Sequence, residues 1–152
     1  MSFAEGICVV KRLAPLTVRV KDAMDTKLVK IEKDRPAIEA LKLMIENGVW
    51  SVVVTDKGVI VGVMTERDFI RRCILKGFDP NKTPVEKLMS SPLITIEADR
   101  PLGEALQLMT TKGVRRLFVT EGGKIIGRIT QTELVEKTLD IFMALSSLQR
   151  QM

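Results

Sequence analysis

Two hydrophobic periodicities alternate along the chain, and they do so in the same order twice. Leu28, Val29 and Ile31 predict a short strand. Asp34 then stands as a helix N-cap beside Pro36, and Ala37 to Asn47 carries Ile38, Leu41, Met44 and Ile45 at helical spacing. Gly48 stops that helix in the manner of a C-terminal glycine. Val49 to Thr55 is β-branched and largely apolar, the pattern of a strand buried on both faces. The turn Asp56-Lys57-Gly58 joins it to a second strand, Val59 to Met64, giving a hairpin. Thr65 caps a further helix running from Glu66 to about Lys76, with Glu66 and Asp68 in its first turn.

The same succession returns 65 residues later without a gap. Residues 20–70 fall on 85–135, with 21 identities in 51 positions, too many for two unrelated amphipathic segments. VKDAM (20–24) meets VEKLM (85–89), and IEKDRPAIEALKLM (31–44) meets IEADRPLGEALQLM (96–109). GVWSVVVTDKGVIVGVMT (48–65) meets GVRRLFVTEGGKIIGRIT (113–130). The chain is therefore a tandem duplication, with motifs at 20–76 and 85–137, a turn-rich linker at 77–84, an N-terminal extension at 1–19 and a C-terminal helical extension at 138–152. Either copy alone buries too little surface, so the expected fold class is α+β, two β-α-β-β-α repeats packed sheet to sheet with pseudo-two-fold symmetry.

Composition narrows the chemistry. With no His, neither a Ser-His-Asp triad nor a Cys/His zinc site can form, and Cys8 and Cys73 make no CxxC pair. The chain is read as a non-enzyme without a metal, and as cytoplasmic, because it shows no membrane span and no signal peptide. Its net charge of +5 is spread thinly: +2 over residues 1–19, +2 over 20–84 and +1 over 85–152. Five Phe, one Trp and no Tyr offer few stacking platforms, so a nucleic-acid partner is disfavoured.

The ending Gly62-Val63-Met64-Thr65-Glu66-Arg67-Asp68 is where chemistry can be argued. Gly62 permits close backbone approach, while Thr65 and Asp68 stand three apart on one helical turn, able to hydrogen-bond a vicinal diol. Free N–H groups at the helix start suit an anion. From one copy alone, a plain capping interaction is the better account of the same pair.

Taken together, the duplication, the glycine before each second strand and the Gly-x-x-Thr-x-x-acid ending resemble a tandem pair of CBS domains, a Bateman module, over about residues 20–137. The resemblance implies a ligand-sensing unit that binds an adenine nucleotide (AMP, ADP or ATP), with S-adenosylmethionine as an alternative, in clefts between the copies. It further implies that Thr65 and Asp68 hold ribose, and that each cleft is completed by the other copy. A main cleft would then join Gly62, Thr65 and Asp68 to Leu93, Ile94, Thr95, Val114, Arg115 and Arg116, the two arginines neutralising phosphate. A weaker one would join Gly127, Thr130 and Glu133 to Leu28, Lys30, Trp50 and Ser51. There Glu133 replaces the family's Asp, and Trp50 either stacks on adenine or packs between copies.

The tail from Glu133 to Leu148 carries Leu134, Leu139, Ile141, Phe142, Leu145 and Leu148, more apolar surface than one helix face needs. It predicts a homodimer, and the module would report its ligand to a downstream protein. The alternative is a protein or nucleic-acid adaptor whose clefts are vestigial.

Overall fold

A computed structural model describes residues 18–150; Cys8 and nearly all of the 1–19 extension lie outside them. The first repeat contains β1 (Lys30–Glu32), α1 (Ala37–Asn47), β2 (Ser51–Asp56), β3 (Val59–Thr65) and α2 (Glu66–Asp68), which runs on into a π-helical segment, Phe69–Ile74. The second contains β4 (Thr95–Glu97), α3 (Leu102–Lys112), β5 (Arg116–Glu121), β6 (Lys124–Thr130) and α4 (Gln131–Gln149). Two three-stranded sheets result, ordered β1-β2-β3 and β4-β5-β6, each with one parallel and one antiparallel pair.

Local departures from the sequence reading have clear causes. Asp34 does not cap α1: Pro36 holds the N-cap position with no side-chain bond, and Arg35 pairs with Glu39 instead. Ala37, Ala40 and Met44 face the core, leaving Ile45 74% exposed, because small residues let α1 sit close to its sheet. The first strand is shorter than expected, with only Ile31 buried. Gly48 and Gly113 end α1 and α3 in the left-handed region, at φ 63° and 64°.

The repeats exchange their opening segments. Val20, at the start of the first repeat, is buried in the core of the second with Leu117 and Ile129. Val85 and Leu88, at the start of the second, are buried in the core of the first with Val52 and Met64. Backbone bonds fix the exchange: Val20 N–H donates to Arg100 O at 2.9 Å, and Val85 N–H donates to Arg35 O at 2.9 Å. Asp25 then bridges to Arg128 on β6, and Ser90 bridges to Val63 on β3, positions again related by 65.

This exchange explains the two glycines. A Cβ on Gly62 would lie 2.6 Å from Met89 Sδ and 2.9 Å from Ser90 O; one on Gly127 would lie 2.8 Å from Asp25 O. The close approach that glycine permits is made by the chain's own exchanged segment, not by a ligand.

Alternation along β2 and β5 defines the layer between the sheets. Val52, Val54, Leu117 and Val119 belong to the two repeat cores. Ser51, Val53, Arg116 and Phe118 therefore point to the opposite face. Ser51, Val53 and Phe118 are nonetheless buried, because that face is covered by the other repeat.

Candidate functional site

A cleft of about 330 Å³ opens where α2 of the first repeat meets the start of β5. Its walls include Thr65 and Asp68 from the first repeat and Leu93, Ile94, Val114, Arg115 and Arg116 from the second. Seven of the nine residues assigned to the main cleft from sequence are thus gathered around one space. Gly62 is excluded because Met89 and Ser90 fill the room beside it. Thr95 does not line the cleft either; it opens β4 and is exposed.

Sequence reasoning missed Val63, Glu66, Arg67, Ser90, Pro92, Gly113 and Phe118, and it put Trp50 on the wrong side. Trp50 lines the Asp68 cleft and is 67% exposed. The cause is a backbone bond: Glu66 N–H donates to Trp50 O at 3.2 Å, fastening Trp50 to the helix of its own repeat. Gln131 N–H holds Arg115 O in the same way. Ser90 and Pro92 were hidden because nothing in a linear repeat announces the exchange.

Thr65 and Asp68 form a complete capping box. Asp68 N–H donates to Thr65 Oγ1 at 3.1 Å, while the Thr65 amide and hydroxyl each donate to Asp68 Oδ2 at 3.0 Å. The Thr65 proton is therefore committed within the chain. Oδ1 of Asp68 remains, facing only Arg72 Nε at 3.8 Å, and is the oxygen able to accept from a diol.

Thr130 and Glu133 build the same box in the second repeat. Thr130 N–H donates to Glu133 Oε2 at 2.6 Å, and the Thr130 hydroxyl donates to the same oxygen. The longer side chain folds back to cap, so Glu in place of Asp preserves the helix start. Of the other residues assigned to this second cleft, Ser51 is buried, Lys30 is exposed and Gly127 packs on Asp25. The counterparts of the cleft-lining Val63 and Ser90 are Arg128 and Asp25, which form an ion pair at 3.0 Å with Arg128 largely buried. Burial works against the Asp25 charge, but bonds from Lys27 N–H and Arg128 outweigh it and hold the carboxyl below its usual range.

Arg116 is the electrostatic outlier. Burial is the main cause that depresses its pKa, followed by the charge of Arg128; Glu133, Asp68 and Glu66 oppose the shift. Its Nε is buried without a hydrogen-bond partner, and among the described residues it forms no ion pair. A guanidinium held in this state at a cleft wall is costly unless an anion arrives.

The CBS domain family matches the chain twice, at residues 20–74 and 85–140, and the chain belongs to that family. The CBS domain-containing protein YhcV of Bacillus subtilis is 31% identical over 115 residues, covering 76% of this chain and 81% of YhcV. An uncharacterized protein of Methanopyrus kandleri is 38% identical over 102 residues; that match covers 66% of this chain and about half, 52%, of the relative. An uncharacterized conserved protein from Pyrococcus horikoshii superposes with a TM-score of 0.76 at 36% identity, covering 80% of this chain and 92% of that one. CBS-domain proteins are generally regulatory and ligand-sensing. No described helix is long and apolar enough to cross a membrane.

Proposed function

We propose that this chain is a regulatory module that binds an adenine nucleotide in the Asp68 cleft and passes the occupied state to a partner protein. The supporting observation is Arg116: a mostly buried, unpaired cation on the wall of a cleft whose opposite side offers a free carboxylate oxygen. Asp68 Oδ1 accepts from the ribose diol, Arg116 with Arg67 and Arg115 neutralises phosphate, and Trp50 at the mouth gives the base an aromatic face. S-adenosylmethionine shares the adenosine half but brings a cation, which suits three arginines poorly. No nucleophile or proton shuttle is asked for, in keeping with a sensor rather than an enzyme.

The module acts as a homodimer in this reading. A groove of about 520 Å³ between α3 and α4 is lined by Leu102, Leu106, Leu134, Val135 and Leu139, and Phe142, Leu145 and Leu148 stand 60–70% exposed further along α4. Both faces are covered by a second copy.

Thermal unfolding with AMP, ADP, ATP, S-adenosylmethionine and a DNA oligonucleotide tests the nucleotide reading. A ligand present at about 100 times its dissociation constant stabilises the fold by about 2.7 kcal/mol. A shift with DNA at 200 mM salt and none with any nucleotide would replace it with the adaptor reading.

A further inference from the structure

Arg72 joins the helix that carries Asp68 to the segment that leads into the opposite wall of the cleft. It sits in the π-helical segment Phe69–Ile74, where the bond from Leu75 N–H to Ile70 O, 2.9 Å, spans five residues instead of four. Such turns are rare and occur mostly at functional positions. From there one terminal nitrogen of Arg72 donates to Leu88 O at 3.0 Å and to Met89 O at 2.7 Å. These carbonyls follow the 3-10 turn Val85–Lys87 of the exchanged segment, and no backbone N–H among the described residues reaches either. The same side chain turns Nε toward Asp68 Oδ1 at 3.8 Å, the oxygen left over from the helix cap. Arg72 itself lies outside the cleft.

The residues after those two carbonyls are the wall. Ser90, Pro92, Leu93 and Ile94 line the cleft. Ser90 exchanges backbone bonds with Val63, and Ile94 O accepts from Phe118 N–H at 2.9 Å. The second repeat is held differently. Position 72 corresponds to Lys137 on the regular helix α4, and among the described residues Lys137 makes no bond to Ala23 or Met24. There the exchanged segment is fastened from a strand, by Arg128 on Asp25. Val63 and Ser90 stand at those two places in the first repeat and form no ion pair. Among the described residues, a helix side chain therefore grips the exchanged segment beside the open cleft and not at the related place.

Resting on the nucleotide reading above, we propose that Arg72 is a positioning residue that couples nucleotide at Asp68 to the exchanged segment 85–90. A ligand hydroxyl donating to Oδ1 fixes the carboxylate beside Arg72, and Arg72 in turn fixes the Leu88 and Met89 carbonyls. Occupancy tightens the segment on the first repeat's core. By reciprocity, a loosened segment weakens the ligand.

Amide hydrogen exchange and calorimetric titration of the full chain with ADP test this. The readout is the Leu88 and Met89 amides, which both bond Val85 O and lie outside the cleft. In the unmodified chain ADP is expected to slow their exchange about tenfold. Arg72→Ala should speed it about tenfold without ligand, abolish the ADP effect and weaken ADP binding at least about fivefold. Arg72→Lys, which keeps a donor for the carbonyls, should recover part of both losses. Arg71→Ala removes the same charge from an exposed neighbour and should change neither. Lys137→Ala should leave the Ala23 and Met24 amides unchanged. Faster exchange in Arg72→Ala with ADP affinity intact would make the contact merely structural. Weaker binding with exchange unchanged, or an equal loss in Arg71→Ala, would make it an effect of charge at a distance. Either result overturns the coupling while leaving the nucleotide reading in place. Absence of all nucleotide binding by the unmodified chain would overturn that reading and the coupling with it.

Discussion

The two repeats share a backbone and differ where they face each other. At three inward positions the first repeat has Ser51, Val53 and Val63, and the second has Arg116, Phe118 and Arg128. The residues that build each core are matched: Ala40 with Ala105, Met44 with Met109, Val54 with Val119. Duplication kept the packing and let the inter-sheet layer diverge. Small residues on one side leave space, and long cations on the other reach into it. An open cleft stands beside Asp68, and an Arg128–Asp25 ion pair occupies the places related to its Val63 and Ser90 walls.

The largest effect that sharpens this contrast comes from Arg116→Ser, which makes the second repeat resemble the first. Nucleotide affinity should fall about ten- to a hundredfold or more, since a charged contact contributes about 1.5–3 kcal/mol. The unliganded fold should be at least as stable, because a buried cation without a partner is removed. Denaturant unfolding that shows a large loss of stability would mean Arg116 is structural.

Next in size is the backbone approach that both repeats require. Gly127→Ala sets a methyl group against the Asp25 carbonyl, which cannot yield without breaking its bridge to Arg128, and should cost about 1–3 kcal/mol. Gly62→Ala meets Ser90 O, held by the matching bridge to Val63, as well as Met89 Sδ, and should cost a similar amount. Unchanged denaturant midpoints in either variant would argue against this close approach. Thr65→Ala and Thr130→Ala each remove a cap and should cost about 1 kcal/mol.

Deleting residues 138–152 removes most of the exposed apolar face of α4 and should weaken the dimer in sedimentation experiments. An unchanged dimer would assign that face to another protein.

The smallest effect is one of pH. Asp25 has a folded pKa below its ordinary value, so its link to Arg128 contributes stability above about pH 4 and loses it as pH falls through the folded pKa. With Asp25 partly exposed, the contribution should be below about 1 kcal/mol. The difference between the unmodified chain and Asp25→Asn should be present at pH 7 and absent at pH 2.

Much of this was legible in the chain itself, and the reasons for the rest are physical. Periodicity and the constant offset located every named strand and helix to within a few residues. The order Thr65-x-x-Asp68 marked the helix start that lines the cleft. The exchange of the Val20 and Val85 segments was invisible, because the copies are similar enough that either opening segment suits either core. That blindness carried over to the site: Ser90, Pro92 and Val63 were missed, Gly62 was given to a ligand, and Trp50 was placed across the axis. Arg128 escaped notice because its partner, Asp25, reaches it only through the exchanged segment, which spacing does not reveal.

The central claim is that nucleotide binds beside Asp68 and not beside Glu133. Calorimetric titration of ADP into Asp68→Ala and Glu133→Ala tests it directly. The account expects Asp68→Ala to lose about ten- to a hundredfold in affinity and Glu133→Ala to match the unmodified protein. Loss of binding in Glu133→Ala with Asp68→Ala unaffected would contradict it and move the ligand to the other cleft.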